Sequence, residues 1–375
     1  MTNLDSEDSA VEQPTIALLG ELGWTTENCF HETLGAQSSL GRETRQEVVL
    51  RPRLRTALQR FNPDLPARAL DLAEEELTRD RSALLPARAN QEVYRLLKDG
   101  VKVAYRDDAG EDASATVQVI DWKDPESNDF FLASQLWIAG DVYTRRTDLI
   151  GFVNGLPLVF IELKASHKHL KDAYKNNLRD YRATIPQLFW YNAVILLSNG
   201  SQSRIGSTFA PWEHFAEWKK INSEGEEGII SLDTVLRGVC APAHLLDLAE
   251  NFTLFSEESG GLIKLVAKNH QFLGVNAAFQ AVKDIKGNAG RLGVFCTPRA
   301  AARRAAWSSS PRRCSASSLG TSRSCSSPTD RSWTTRSTRP SPARVRLPRR
   351  RTKSTPTAAS TCGPCCARTT ATCSR

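Results

Sequence analysis

A chain of 375 residues has room for about two domains and a sizeable core. Its formal charge of +7 averages two unlike parts: residues 297–375 hold 16 Arg and one Lys against a single acid, Asp330, leaving 32 basic and 41 acidic residues in 1–296, a net of −9. No apolar run reaches the roughly 18 residues of a membrane span, and the start, Met-Thr-Asn-Leu-Asp-Ser-Glu-Asp, has neither the basic nor the apolar region of a signal peptide. Only Cys29 and Cys240 precede Cys296, the usage of a reducing compartment, so a cytoplasmic location without a membrane partner is expected.

Residues 1–9 are polar and expected to be disordered. From Val11 the spacing of Glu12, Ile16, Leu19 and Leu22 predicts a first helix with Pro14 in its first turn, closed by Gly23-Trp24. Residues 51–58 and 67–77 predict helices on either side of the break Asn62-Pro-Asp-Leu-Pro66. Residues 90–98, with Val93, Leu96 and Leu97 at helical spacing, predict another before Gly100. Residues 101–105 and 116–121 alternate as strands do and are expected to lead through the sheet to a central hairpin. Residues 124–136 read as a polar loop running into a strand, in which Asn128 and Gln135 cap the loop or position substrate.

The next stretch organises the chain: Arg145-Arg-Thr-Asp148-Leu-Ile-Gly-Phe-Val-Asn-Gly-Leu-Pro-Leu-Val-Phe-Ile-Glu162-Leu-Lys164. It reads as two apolar strands joined at Asn154-Gly155, a dipeptide that tolerates the positive φ of a tight hairpin turn. Folding back there brings Asp148, at the start of the first strand, beside Glu162 and Lys164 at the end of the second. Alternation puts Glu162 and Lys164 on one face and Ile161 and Leu163 on the other. Charges at the end of so apolar a hairpin must pair or hold a metal. One reading is a surface hairpin with an ion pair worth roughly 0–1 kcal/mol. The other has Asp148 and Glu162 gripping Mg²⁺, with Lys164 activating the attacking water or neutralising charge on a phosphate.

Residues 167–182 predict a charged helix ending before Ile185-Pro186, and residues 191–200 a buried strand ending in a turn. Strands alternating with covering helices give an α/β fold with a mixed sheet. Residues 201–267 carry a weaker signal: aromatics at 207–218 that pack or stack on bases, helices near 231–236 and 242–251, and a loop at Gly260-Gly261. His167 and His169 make no ligand set, and no structural zinc is expected.

Asp148 followed by Glu162-x-Lys164 resembles the PD-(D/E)xK nuclease core, and Arg146-Thr-Asp148 with Asn-Gly-Leu-Pro-Leu-Val-Phe-Ile-Glu162-Leu-Lys164 resembles the nuclease domain of type I restriction enzyme R subunits. The resemblance covers residues 10–295 and is densest over 124–200. It implies an α/β restriction-endonuclease-like core at 10–255, with a mixed sheet flanked by helices, and at 256–296 a remnant of the entrance to a helicase motor. It also implies DNA as substrate, Mg²⁺ as cofactor, ATP as the fuel of the parent enzyme, and methylation and specificity subunits as partners. In that family an acid on the first helix serves the active site, which nominates Glu12; a solvated Glu is the alternative. The family's Gln-x-x-x-Tyr becomes Asn177 and Tyr181 here, the amide kept but one methylene shorter. A Gln ahead of the nucleotide loop reads adenine in the family, which nominates Gln271, a solvated Gln being the alternative. Arg145 and Arg146 are candidates for the DNA backbone.

The phosphate loop G-x-x-x-x-G-K-[ST] does not follow. From Thr297 the chain has no Phe, Tyr, Ile or Met, and Arg, Ser, Thr and Pro dominate, the composition of a disordered tail. Cys362-Gly-Pro-Cys365 lacks a partner pair for zinc. Residues 296–303 can be encoded by TGC ACA CCC AGG GCA GCG GCA AGA, and one G restored after the second base gives Trp-His-Thr-Gln-Gly-Ser-Gly-Lys, a phosphate loop. Residues 326–341 yield a family-like string in the same displaced frame. The expectation is a one-base deletion near codon 296 that removes the motor and leaves 297–375 as its product. The reading is thus a Mg²⁺-dependent DNA endonuclease portion of an R subunit. Its alternatives are a catalytically silent assembly module, or a basic nucleic-acid-binding protein working through its tail.

Overall fold

The computed structural model describes residues 11–107, 110–258, 260–285 and 287; the expectations for 1–9, for the frame change near 296 and for 297–375 fall outside them. The first helix, α1 (Gln13–Glu21), begins with Pro14 in its first turn, where a missing N–H costs nothing. An edge strand β1 (Thr25–Asn28) follows, which the sequence did not reveal because it is short and polar. Helices α2 (Arg51–Phe61), α3 (Ala67–Thr78) and α4 (Pro86–Asp99) come next. The last begins four residues before the expected 90, at a proline in its first turn, and stops at Gly100, whose φ is +81°.

Strands β2 (Val101–Arg106) and β3 (Asp112–Val117) correct the reading of 101–105 and 116–121. They pair with each other as a separate antiparallel ribbon packed on α3, and residues 118–121 are not strand. The pair closes on itself with Val101 opposite Val117, both fully buried.

The main sheet is formed by β1, β4 (Phe130–Ser134), β7 (Leu149–Val153), β8 (Leu156–Leu163), β9 (Val194–Ser198) and β10 (Ser203–Gly206), hydrogen-bonded in that order. The β1/β4 and β8/β9 pairs are parallel and the rest antiparallel, so the sheet is mixed, as expected. Every residue of β4, β7, β8 and β9 is buried. Since successive side chains point to opposite faces, both faces of the sheet are covered. Between β4 and β7 the chain makes a small hairpin, β5 (Trp137–Ala139) with β6 (Thr144–Arg146), also unforeseen.

Beyond β8, α5 (Leu170–Asp172), a π-helical turn (Ala173–Leu178) and α6 (Arg179–Thr184) replace the regular helix expected from 167. Helix α7 (Leu232–Val239) is capped by Ser231, whose hydroxyl accepts from Thr234 N at 3.0 Å, and α8 (Pro242–Asn251) falls where expected. The loop at Gly260-Gly261 proves to be the turn of a further hairpin outside the main sheet, β11 (Thr253–Glu258) with β12 (Gly261–Val266). Helix α9 (Asn269–Lys283) ends the described chain. Among the described residues no helix is long and apolar enough to cross a membrane.

Candidate active site

The β7–β8 hairpin turns at Asn154 (φ +52°) and Gly155 (φ +78°), the two left-handed residues of a two-residue turn. It is not a surface hairpin. Asn154 is fully buried; its amide donates to Val119 O (3.0 Å) and Asn128 Oδ1 (2.8 Å) and accepts from Asp129 N (2.8 Å). A Cβ on Gly155 would lie 2.4 Å from Leu50 O. Asn128 and Asn154 therefore hold the turn down, a structural role.

A strict two-residue hairpin would put Asp148 across from Ile161 and leave its side chain on the face away from Glu162. The register instead slips between Gly151 and Phe152: Val153 pairs Leu156 and Phe152 pairs Pro157, but Gly151 pairs Val159 and Leu149 pairs Ile161. Leu158 is the extra residue of a β-bulge. Its carbonyl accepts from Ala193 N at 2.7 Å and from Asn192 Nδ2 at 3.2 Å, at the entry to β9. Continued one step, this register sets Asp148 opposite Glu162, and directly opposed residues share a face. Sequence reasoning missed the bulge; the signal was Pro157, since proline inside a sheet marks an edge or a bulge.

Five side chains meet there. Asp148 Oδ2 accepts from Leu163 N at 2.8 Å. Lys164 Nζ donates to Glu162 Oε1 at 2.7 Å, with its own N–H on Ser198 O at 2.9 Å. Asn177, delivered by the π-helical turn, donates its amide to the same Glu162 Oε1. Tyr181 OH donates to Arg146 O at 3.0 Å, and burial followed by the nearby Glu162 and Asp148 charges raises its pKa. The Glu162 side chain is 0% exposed. Burial first, then the Asp148 charge, push its pKa to about 8, against the opposing pull of Lys164 and Asn177.

Glu12, immediately before α1, reaches the site through Gln135. It is buried and accepts from Gln135 Nε2 at 2.6 Å, while Gln135 N donates to Asp148 O at 2.8 Å. Gln135 has φ +57°, a left-handed backbone that costs a non-glycine residue about 1 kcal/mol or more. The strained residue thus links Glu12, just before the first helix, to Asp148, just before β7. Arg145 is spent on Asp180 (Nη2–Oδ1 3.1 Å), and His167 and His169 are exposed before α5. Gln271 sits elsewhere, buried in the first turn of α9, where its Oε1 accepts from Lys268 N at 2.9 Å.

The donor set suits a hard divalent cation. Glu162 Oε2 is buried and has no hydrogen-bond partner, which leaves a carboxylate oxygen aimed at a place without a donor, beside a second acid. Among the described residues no group of three or more His, Cys, Asp or Glu could hold a metal. Two carboxylates leave the remaining positions to water and substrate oxygen, the mode Mg²⁺ uses.

Residues 5–214 match the family described as "Type I restriction enzyme R protein N terminus". The chain is 34% identical over 280 residues to the type I restriction enzyme HindI endonuclease subunit of Haemophilus influenzae, covering 72% of this chain and 26% of that one. It is 26% identical over 298 residues to the putative type I restriction enzyme MjaIXP endonuclease subunit of Methanocaldococcus jannaschii, covering 73% and 27%. The chain therefore spans about a quarter of the length of these relatives. With a match over more than half its residues, it belongs to the family of type I restriction enzyme R protein N termini.

Proposed function

We propose that this chain is the endonuclease portion of a type I restriction enzyme R subunit, a PD-(D/E)xK-like domain that hydrolyses DNA phosphodiesters with Mg²⁺. The observation that carries the reading is the meeting of Asp148, just before β7, with Glu162 near the end of β8: the Asp148 carboxylate accepts from Leu163 N, and burial followed by the Asp148 charge raises the pKa of Glu162, one of whose oxygens is left without a donor. Asp148 and Glu162 would hold the cation, which supplies charge neutralisation at the scissile phosphate and a more acidic bound water. Lys164 then holds its ammonium over the corner, where it orients the water or offsets charge on the phosphate. Asn177 fixes the Glu162 carboxylate, Tyr181 fixes the backbone two residues before Asp148, and Glu12 steadies Gln135 behind it.

The family supports methylation and specificity subunits as partners, and ATP as the fuel of a motor for which Gln271 would read adenine. The missing phosphate loop supports a reading-frame change near codon 296, tested by sequencing the gene for one restored base that opens a long helicase-like frame. For the site, Mn²⁺ titration of the purified chain and nicking of supercoiled DNA in Mg²⁺ decide the matter. One cation bound per chain and nicking, both lost in Glu162→Ala, are expected. Nicking retained in that variant, or no cation bound by the parent, removes the nuclease reading and leaves a silent assembly module.

A further inference from the structure

Near the Asp148–Glu162 corner, around the β5–β6 hairpin, lies a cluster of rings and guanidinium groups that the proposed chemistry does not use. Trp137 and Arg146 are direct cross-strand partners and so share a face. The Arg45 guanidinium lies 5.7 Å from the Trp137 ring, and that of Arg146 lies 5.9 Å from Trp137 and 5.5 Å from Phe30. The Phe30 and Trp137 rings are 6.1 Å apart, and His31 meets Phe30 edge-on at 4.7 Å. Phe30 is 38% exposed although it directly follows the buried Cys29 and stands at the end of β1 beside β4.

The charge pattern separates this stack from an ordinary surface. Arg145, on the other face of the hairpin, is neutralised by Asp180, and Arg42 by Glu32 at 2.8 Å. Among the described residues neither Arg45 nor Arg146 has a carboxylate within 4.0 Å. Arg146 stands two residues before Asp148, at most about 7 Å along the chain, and its carbonyl is pinned by Tyr181. Two cations with no carboxylate within 4.0 Å, one of them two residues before Asp148, interleaved with the rings of Phe30 and Trp137, fit a polyanion that carries flat aromatic faces. Aromatic and guanidinium planes accept unpaired bases of any sequence, while the charges track the phosphates.

We propose that Phe30, Trp137, Arg45 and Arg146 form a stacking subsite for an unpaired DNA strand leading into the Asp148–Glu162 corner. The proposal rests on the nuclease reading, because it places the strand on the path to the scissile phosphate. Bases stack against Phe30 and Trp137, and Arg146 lies between the ring stack and the acids. A duplex, whose bases face one another, gains the charge contacts but not the stacking.

The test uses the whole chain in EDTA, so that DNA stays intact, with a single-stranded oligonucleotide carrying 5-iodouracil. Irradiation should attach the base to Phe30 or Trp137, identified in the digested peptides. That readout separates the subsite from any sequence-independent attraction of the arginine-rich residues 297–375. Phe30→Ser should lose the adduct and weaken single-strand binding roughly 5- to 100-fold, with Phe30→Tyr restoring both. Arg45→Gln and Arg146→Gln should each flatten the salt dependence by about 0.7 in slope. Adducts confined to other peptides, or unchanged affinity in Phe30→Ser, overturn the subsite. Mn²⁺ titration of the same proteins keeps the two claims apart: a parent that binds no cation sinks the nuclease reading, whereas cation binding with no loss in Phe30→Ser sinks the subsite alone.

Discussion

Among the buried ionisable groups of the described residues, Glu162 and Lys264 have surroundings that differ in kind. Glu162 lies next to a second acid, keeps one oxygen without a donor, and is pushed up to about 8. Lys264, on β12, has only neutral company: its ammonium donates to Asn192 O at 2.5 Å, the Phe255 ring lies 5.8 Å away, and burial alone pulls it down to about 7. An acid beside an acid is what the proposed cation would neutralise. A lysine among carbonyls and a ring is a structural strut that loses its charge easily.

Breaking each group tests this contrast. Glu162→Ala should lower nicking in Mg²⁺ about 10³-fold or more, while Lys264→Met leaves nicking unchanged. The reverse holds for stability. Lys264→Met should stabilise the fold by the order of 2–4 kcal/mol near pH 6, read by denaturant unfolding, because Asn192 O keeps donors from Asn90 Nδ2 (2.9 Å) and Thr208 Oγ1 (3.3 Å).

The pH dependence sharpens the comparison, since the two groups pull in opposite directions. Glu162 is raised from 4.5 to about 8, so the folded state binds the extra proton. Its contribution is full below pH 4.5 and is lost as pH rises through 8. Lys264 is lowered from 10.5 to about 7, so the unfolded state binds the extra proton, and stability rises with pH between those values. Unfolding measured from pH 5 to 10 should show a fall and then a rise. Glu162→Gln should remove the fall, Lys264→Met the rise, and Mn²⁺ should stabilise more at pH 8 than at pH 5.

Smaller effects probe what holds the acid in register. Asn154→Ala removes two donated bonds and one accepted bond at a buried turn and should cost about 2–3 kcal/mol. Tyr181→Phe removes one bond to Arg146 O and should cost about 1 kcal/mol, with nicking falling only a few-fold. A larger loss of nicking than of stability would give the hydroxyl a direct part in the chemistry.

Much of this was written locally in the chain. The helices at 51–58, 67–77 and 242–251, the buried strands on either side of Asn154-Gly155, and the candidates Asp148, Glu162 and Lys164 follow from periodicity, turn chemistry and the scarcity of charge within an apolar run. These are properties of a few neighbouring residues, so a single sequence carries them.

What the sequence alone left undecided depends on partners far along the chain. The ribbon at 101–117 closes on itself rather than joining the sheet, because which strand pairs with which is settled by the surfaces that meet. Nothing in the sequence singles out Lys264 until its strand and its burial are known. The Asp148–Glu162 meeting itself hangs on one extra residue, Leu158, whose carbonyl is held by Ala193 and Asn192. A period of two makes the face of a side chain depend on a shift of one, and only the neighbouring strand, with its own backbone donors, selects that shift.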